Sequence, residues 1–360
     1  MGKFFQQFDW RVCCLASTLF LGACATPPAP EPKPLPPQAE PAHTSTEPPR
    51  SSFAVESLRS LVAMQDRLDR VAAPLLLKNA ELCKAQARNL LGFTAKNRYS
   101  YTTEYVEAAE ELFGLQEKLQ VIGVLSGSGA ALAGVRRGDT LLKIEDKDLP
   151  QGQNAERLAA TILAPMVARK TKVTMSIWRD GENMSVVVPL SRACGFRVEL
   201  GNSDNVATYA DGQRIMVTRG MLAFTKSDEE LAYLIAKEMA HNALSHPAKN
   251  RSFSSMGAMI DNLLKAKPDL SLLITGGGIK SYPAEMDGAA DNLSFYMLMR
   301  AGYNIDHARV FWQRLVNEYP ATVLSSHSAI HPAFSARLTA MDKAYAEIRT
   351  KQTLKRPLLP

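Results

Sequence analysis

The densest run of reactive side chains in this chain is Lys237-Glu238-Met239-Ala240-His241. On a helix, residues four apart lie about 40° apart around the axis, so side chains at 237 and 241 reach toward one point. Two histidines at such positions can share a zinc ion, and a glutamate beside the first can activate a water for hydrolysis. Here the first histidine is replaced by Lys237. A protonated amine has three donors and no lone pair, whereas zinc needs a deprotonated ligand. His246 lies about 140° from His241 around an ideal helix, which predicts a capping or packing role near the helix end. His327 and His331 are four apart, but Pro332 and the serines around them predict a loop. Gly276-Gly277-Gly278 reads as a turn, since no Gly-Lys-Ser/Thr follows to make a phosphate loop.

These residues need a helix to carry them. Ser227 with Glu230 three residues on is a capping box, and acidic residues suit a helix N-terminus, so a helix is predicted from Asp228 through His246. Upstream, Val55, Leu58, Leu61, Val62, Leu68 and Val71 recur at steps of three and four, the pattern of an amphipathic helix. Gln120 to Leu125 reads as a strand, Ser126 to Ala133 as a small-residue loop and short helix, and Val135 to Ile144 as a turn into a strand. Val173 to Trp178 and Met184 to Val188 flank Asp180-Gly181, a hairpin signal because both central residues of a type I′ turn need positive φ.

The order strand, Gly-Ser-Gly-Ala-Ala-Leu-Ala-Gly-Val-Arg-Arg-Gly-Asp, strand resembles a PDZ domain of the bacterial type, over Tyr105 to Leu190. That resemblance implies capture of an extended peptide C-terminus as an added strand. By the same resemblance Phe113, Gly114 and Leu115 stand as the peptide-binding, carboxylate-holding loop. The alternative is a domain that only positions its neighbour.

From Asn205 to Met341 the chain resembles peptidase family M-48, the gluzincins related to CAAX prenyl protease. The resemblance rests on Asp211-Gly212, Thr218-Arg219-Gly220, the Asp-Glu-Glu-Leu-Ala run, the 237–241 helix with His246, Asp287-Gly-Ala-Ala290-Asp291, Ala301-Gly302-Tyr303, and His331-Pro332 with Arg337. It implies Glu238 as general base, His241 as a zinc ligand and Asp287 at the place of the third ligand, with His246, Asp291, His331 and Arg337 as further motif positions. Lys237 stands where the first histidine belongs. Aspartate remains a competent oxygen ligand; lysine is the serious departure. Either the ammonium takes the ion's place and pairs with Asp287, or it bends away to solvent. A rebuilt ligand set would combine His241 and Asp287 with His327 or His331.

The N-terminus reads as an export signal, with Lys3 and Arg11 ahead of an apolar run from Val12 to Leu21, too short to span a bilayer. Leu21-Gly22-Ala23-Cys24 resembles the lipobox of bacterial lipoproteins, which implies lipidation at Cys24 and a membrane anchor; ordinary cleavage after Ala25 is the alternative. Ten of the 21 prolines fall between Thr26 and Arg50, a stretch expected to act as an extended spacer. Cys83 and Cys194 then remain as a pair in an oxidising compartment, expected as a disulfide unless both are buried free thiols. The net charge of +6, from 42 basic and 36 acidic residues without a dense basic block, argues against a nucleic-acid partner. At 46% hydrophobic residues the chain can fill more than one core.

The sequence therefore predicts an α+β protein: signal peptide 1–23, lipidated cysteine and linker 24–50, helical segment 51–104, PDZ domain 105–190, and a mostly helical peptidase-like domain 195–350. The expected location is the periplasm-facing outer membrane. The leading expectation is a peptidase-like protein, weak or inactive in proteolysis, that binds or regulates envelope proteins or peptide C-termini without bound zinc. The alternatives are an active zinc metalloendopeptidase in envelope quality control and a simple structural tether.

Overall fold

The computed structural model describes residues 50–321 and 326–360. The signal peptide, Cys24 and nearly all of the linker lie outside the described residues. Among those described, no helix is long and apolar enough to cross a membrane. The chain is a mixed α+β structure, about half helical, with a β-sheet region before a helical domain.

Helix α1 (Arg50–Lys78) buries Leu68, Val71 and Leu75, at the predicted helical steps. The helical segment expected over 51–104 is helical in its first half only. It continues into strands β1 (Ala87–Leu90) and β2 (Phe93–Lys96). Between them Gly92 takes φ +87, and a Cβ there would lie 2.3 Å from Ser128 Cβ, so only glycine fits this turn.

After α2 (Val106–Phe113) come β3 (Gln120–Val124), α3 (Gly129–Leu132), β4 (Thr140–Ile144), β5 (Lys147–Asp148), α4 (Ala155–Arg169), β6 (Lys172–Arg179) and β7 (Glu182–Pro189). The sheet runs β2-β3-β4-β6-β7 with β5 beside β4, and every neighbouring pair is antiparallel. Its edge strand β2 comes from before residue 105, so the sheet starts earlier than expected. Val121, Leu141, Ile144, Met175 and Ile177 form its buried layer, together with Ala155 and Ala159 of α4. The β6–β7 hairpin turns at Asp180 (φ 53) and Gly181 (φ 90), as the turn chemistry requires.

Strand β8 (Ser191–Cys194) returns to pair with β1, and Cys194 is bonded to Cys83 with Cα atoms 5.5 Å apart. Then β9 (Arg197–Gly201), β10 (Thr208–Ala210) and β11 (Arg214–Thr218) make a sheet in the order β10-β11-β9. Helix α5 (Arg219–Phe224) is capped by Thr218, and α6 (Asp228–Ala243) by the Ser227 hydroxyl, which accepts from Glu230 N. The Glu230 carboxylate accepts from Lys226 N and pairs with Arg314, so the reciprocal half of the expected capping box is absent. The remainder is helical: α7 (His246–Lys249), α8 (Phe253–Leu263), α9 (Ser271–Ile274), α10 (Ala284–Ala301), α11 (Ala308–Glu318), α12 (Ser326–Ile330) and α13 (Phe334–Thr353).

The main core gathers Leu75 of α1, Leu234 of α6, Met297 of α10 and Ile348 of α13, each fully or almost fully buried. At roughly 2 kcal/mol per buried aliphatic side chain, this layer fixes α6 against α10. The lead-in helix is thus part of the helical domain's own core, and only its beginning, at Val55 and Leu58, packs with Ala108 and Ala109 of α2.

Candidate metal centre

Helix α6 is buried from Leu231 to Asn242, so its polar residues must find partners inside the protein. Lys237 is 0% exposed. Its Nζ donates to the Asp287 carbonyl oxygen at 3.0 Å and lies 3.1 Å from Asp287 Oδ1 and 2.8 Å from Asp291 Oδ1. Asp287 and Asp291 are one turn apart on α10. Arg337 Nε donates to Asp291 Oδ2 at 2.9 Å, and its guanidinium lies 4.5 Å from the Trp312 ring centroid. Two cations are therefore neutralised by two carboxylates in a region that water does not reach.

On the other side of Asp287, His331 Nδ1 is 2.6 Å from Oδ1, and His241 Nε2 is 3.3 Å from the same oxygen. Glu238 Oε1 accepts from the Thr208 hydroxyl at 2.7 Å and lies 3.5 Å from His331 Nε2. Tyr282 packs over both rings, with centroids 4.1 Å from His241 and 5.3 Å from His331.

The electrostatics follow from this packing. Burial pushes the Asp287 carboxyl up, but the charges of His331 and Lys237 and hydrogen bonds from both histidines outweigh it, holding Asp287 well below the usual carboxylate range. Glu238 is lowered in the same way, burial being overcome by its contacts with His331 and His241. Burial lowers His331, yet Asp287 and Glu238 raise it overall. Burial and the nearby Lys237 charge push His241 down to about 4, despite Asp287. His327 is fully enclosed and held well below the ordinary imidazole range, first by burial.

The fold brings together Lys237, Glu238, His241, His246, Asp287, Asp291, His331 and Arg337. His246 is not turned away as an ideal helix implies: α6 ends at Ala243, Ser245 takes φ 58, and the redirected His246 Nδ1 comes within 3.1 Å of His241 Nδ1. Of residues 327 and 331, only the second lies in the expected irregular segment, the bend between α12 and α13. His327 lies in α12 with His331 just beyond it, and Pro332 follows the helix, where proline ends one without preventing it.

Phe113, Gly114 and Leu115 do not form an open loop. Phe113 ends α2, Gly114 is its left-handed C-cap (φ 65), and Leu115 is fully buried beside Ala108 and Ala109. The open cleft, about 830 Å³, lies instead at Leu91, Gly92 and Phe93, across from Leu163, Ala164 and Val167 of α4. Sequence reasoning missed this loop because Leu-Leu-Gly-Phe lies before the recognised strand pattern. It also missed Thr208 and Tyr282. His327 did carry a signal, its four-residue spacing from His331.

Residues 181–345 match the family model of Peptidase family M48. The chain is 24% identical over 147 residues to the mitochondrial metalloendopeptidase OMA1 of Schizosaccharomyces pombe, covering 39% of this chain and 44% of that protein. It is 23% identical over 141 residues to the OMA1 of Saccharomyces cerevisiae, covering 37% and 41%. The chain thus spans less than half the length of these curated relatives. Among solved structures, the HtrA3 PDZ domain bound to a phage-derived ligand is similar at 13% identity and TM-score 0.24, over 30% of this chain and 92% of that one. The HtrA-type protease AlgW with decapeptide is similar at 23% identity and TM-score 0.22, over 29% and 30%.

An active domain of this family implies zinc. Residues 237, 241 and 287 do not fit such an ion. The Lys237 ammonium already bonds the Asp287 carboxylate, and an amine that keeps its proton cannot ligate. Two groups in the same region have donor atoms within 4.8 Å of one another: His241, Asp287 and His331, and Glu238, His327 and His331.

Proposed function

We propose that this protein is a peptidase-like binding protein that holds envelope proteins or peptide C-termini without hydrolysing them. The observation that carries this reading is the fully buried Lys237 ammonium between Asp287 and Asp291. A fixed positive charge stands where family-type catalysis needs a metal-bound water. Glu238 is left accepting a hydrogen bond from Thr208, with no activated water to deprotonate.

The capture surface in this reading is the cleft beside β2. This strand pairs only with β3 among the described residues, so its other edge faces the cleft, where a peptide strand can be added. Apolar α4 side chains opposite would take alternate residues of that peptide. In this reading the export signal and Cys24 supply a lipid anchor and an outer-membrane location facing the periplasm, and the small net charge of +6 without a dense basic block leaves no nucleic-acid partner.

A second reading, an active zinc metalloendopeptidase in envelope protein quality control, draws support from the clustering of His241, Asp287 and His331. Casein cleavage by the purified full-length protein with added zinc, beside Lys237→His, separates the two. The binding reading expects no cleavage by the unmutated chain and a gain in the mutant. Cleavage by the unmutated chain rejects it.

A further inference from the structure

We infer that this chain holds a divalent transition-metal site displaced from positions 237, 241 and 287, built from Glu238 of α6 with His327 and His331 of the α12 turn. The donor atoms of these three side chains lie within 4.8 Å of one another, and each residue is 1% exposed. Tetrahedral ligands about 2.0 to 2.2 Å from an ion stand roughly 3.4 Å apart. Small side-chain rotations therefore close this set.

The hydrogen-bond arrangement fixes which atoms are available. The Thr208 hydroxyl gives its single proton to Glu238 Oε1 at 2.7 Å, so its oxygen can only accept from His327 Nδ1 at 2.8 Å. His327 is then the Nδ1–H tautomer, with the lone pair on Nε2. That nitrogen is buried and has no hydrogen-bond partner. His331 Nδ1 bonds the acceptor-only Asp287 carboxylate at 2.6 Å, leaving the buried Nε2 3.5 Å from Glu238 Oε1, where a bound ion would displace the proton that this nitrogen carries when the ring is charged.

Each imidazole thus has its far nitrogen held by an oxygen, the arrangement by which metal-binding histidines are oriented. Aromatic stacking holds the ring planes: Trp312 lies on His327 (5.4 Å, 18°) and Tyr282 on His331 (5.3 Å, 26°).

The competing group, His241 with Asp287 and His331, is worse for a cation. Its Asp287 Oδ1 is already shared by Lys237 at 3.1 Å, His331 at 2.6 Å and His241 at 3.3 Å. An ion there would share an oxygen with a fixed ammonium. None of Glu238, His327 and His331 bonds Lys237. Two imidazoles and one carboxylate suit zinc and its first-row neighbours rather than calcium or magnesium. With Glu238 as a ligand rather than a base, the ion would tie α12 to α6 and, through Thr208, to β10, and its fourth tetrahedral position would be left to a water. The inference goes beyond the non-hydrolytic reading and is judged by metal retention rather than cleavage.

The test is cobalt titration of the metal-stripped, full-length protein in detergent, read by visible absorption and by metal content. The expected result is about one ion per chain with the intense bands of a tetrahedral site. His327→Ala and Glu238→Gln should each weaken binding by at least about tenfold, and Thr208→Val by roughly tenfold. His241→Ala should leave it within about twofold. Circular dichroism confirms folding, and Glu238→Gln keeps the side-chain size if His327→Ala fails to fold. No stoichiometric binding, or binding lost with His241→Ala and kept in Glu238→Gln, overturns the site. Cleavage of casein by a chain whose cobalt binding needs His327 would reject the binding reading and leave this site standing.

Discussion

Lys237 Nζ lies 2.8 Å from Asp291 Oδ1, on the oxygen that Arg337 Nη2 also approaches at 3.3 Å. One carboxylate is thereby shared by two buried cations, while Asp287 takes the ammonium's remaining contacts. The pairing explains how a lysine can sit inside α6 with no access to water. Breaking one side of a buried ion pair costs about 3 to 5 kcal/mol, because the partner charge is left uncompensated. Lys237→Met, similar in length and uncharged, should therefore destabilise the protein by about 3 kcal/mol in urea unfolding. Adding Asp287→Asn should recover part of the loss. A neutral Lys237→Met would mean that the ammonium does not hold these carboxylates.

The Cys83–Cys194 bond closes a loop with a sequence separation of 111 and joins the turn after α1 to β8. The chain-entropy account gives about 4 to 5 kcal/mol for a loop of this size. Replacing both cysteines by serine should lower stability by a comparable amount in equilibrium unfolding. A change below about 1 kcal/mol would show that the core holds these segments together without the bond.

Asp69 on α1 is pushed up to about 6, first by burial; Gln65 and Arg137 oppose this, while Asp66 and Glu199 reinforce it. Its folded value exceeds the unfolded 3.8, so the folded state binds the proton more tightly. This contribution is full below pH 3.8 and is lost as pH rises through about 6. The shift corresponds to roughly 2 to 3 kcal/mol. Asp69→Asn should remove that slope and be the more stable protein at neutral pH, as followed by thermal unfolding across pH. An unchanged slope in the variant would assign it to other groups.

Gly92 is the residue on which the β1–β2 turn depends. Alanine there must adopt φ +87 and place its Cβ 2.3 Å from Ser128 Cβ. Gly92→Ala should cost on the order of 2 kcal/mol or more, combining left-handed strain with overpacking. Limited proteolysis should show faster cutting near β2 than in the unmutated protein. Equal cutting rates would mean that the turn tolerates a side chain.

Much of the site was legible as residue types at helical spacings. The step from Lys237 to His241 and the pair Asp287 and Asp291 each lie on one helix, so local geometry alone puts them on common faces. His246 could not be placed that way, because its position depends on where α6 stops and on the positive φ of Ser245. Phe113 to Leu115 looked like a binding loop in isolation, yet tertiary packing turned Leu115 into core. The cleft residues Leu91 to Phe93 gave no warning, because the edge strand they open joins the sheet across a gap that holds all of α2.

By itself the sequence determined the alternation of helix and strand signals, the pair of late cysteines, and an amine four residues before His241. These are properties of composition and short-range periodicity, which a chain carries before it folds. Only the tertiary structure decided where the Lys237 ammonium goes, between two carboxylates and away from solvent. It alone brought His327 and His331 to Glu238, from sequence positions about ninety residues away. Such meetings depend on how α6, α10 and α12 pack, and packing is set by the whole core rather than by neighbours in the chain.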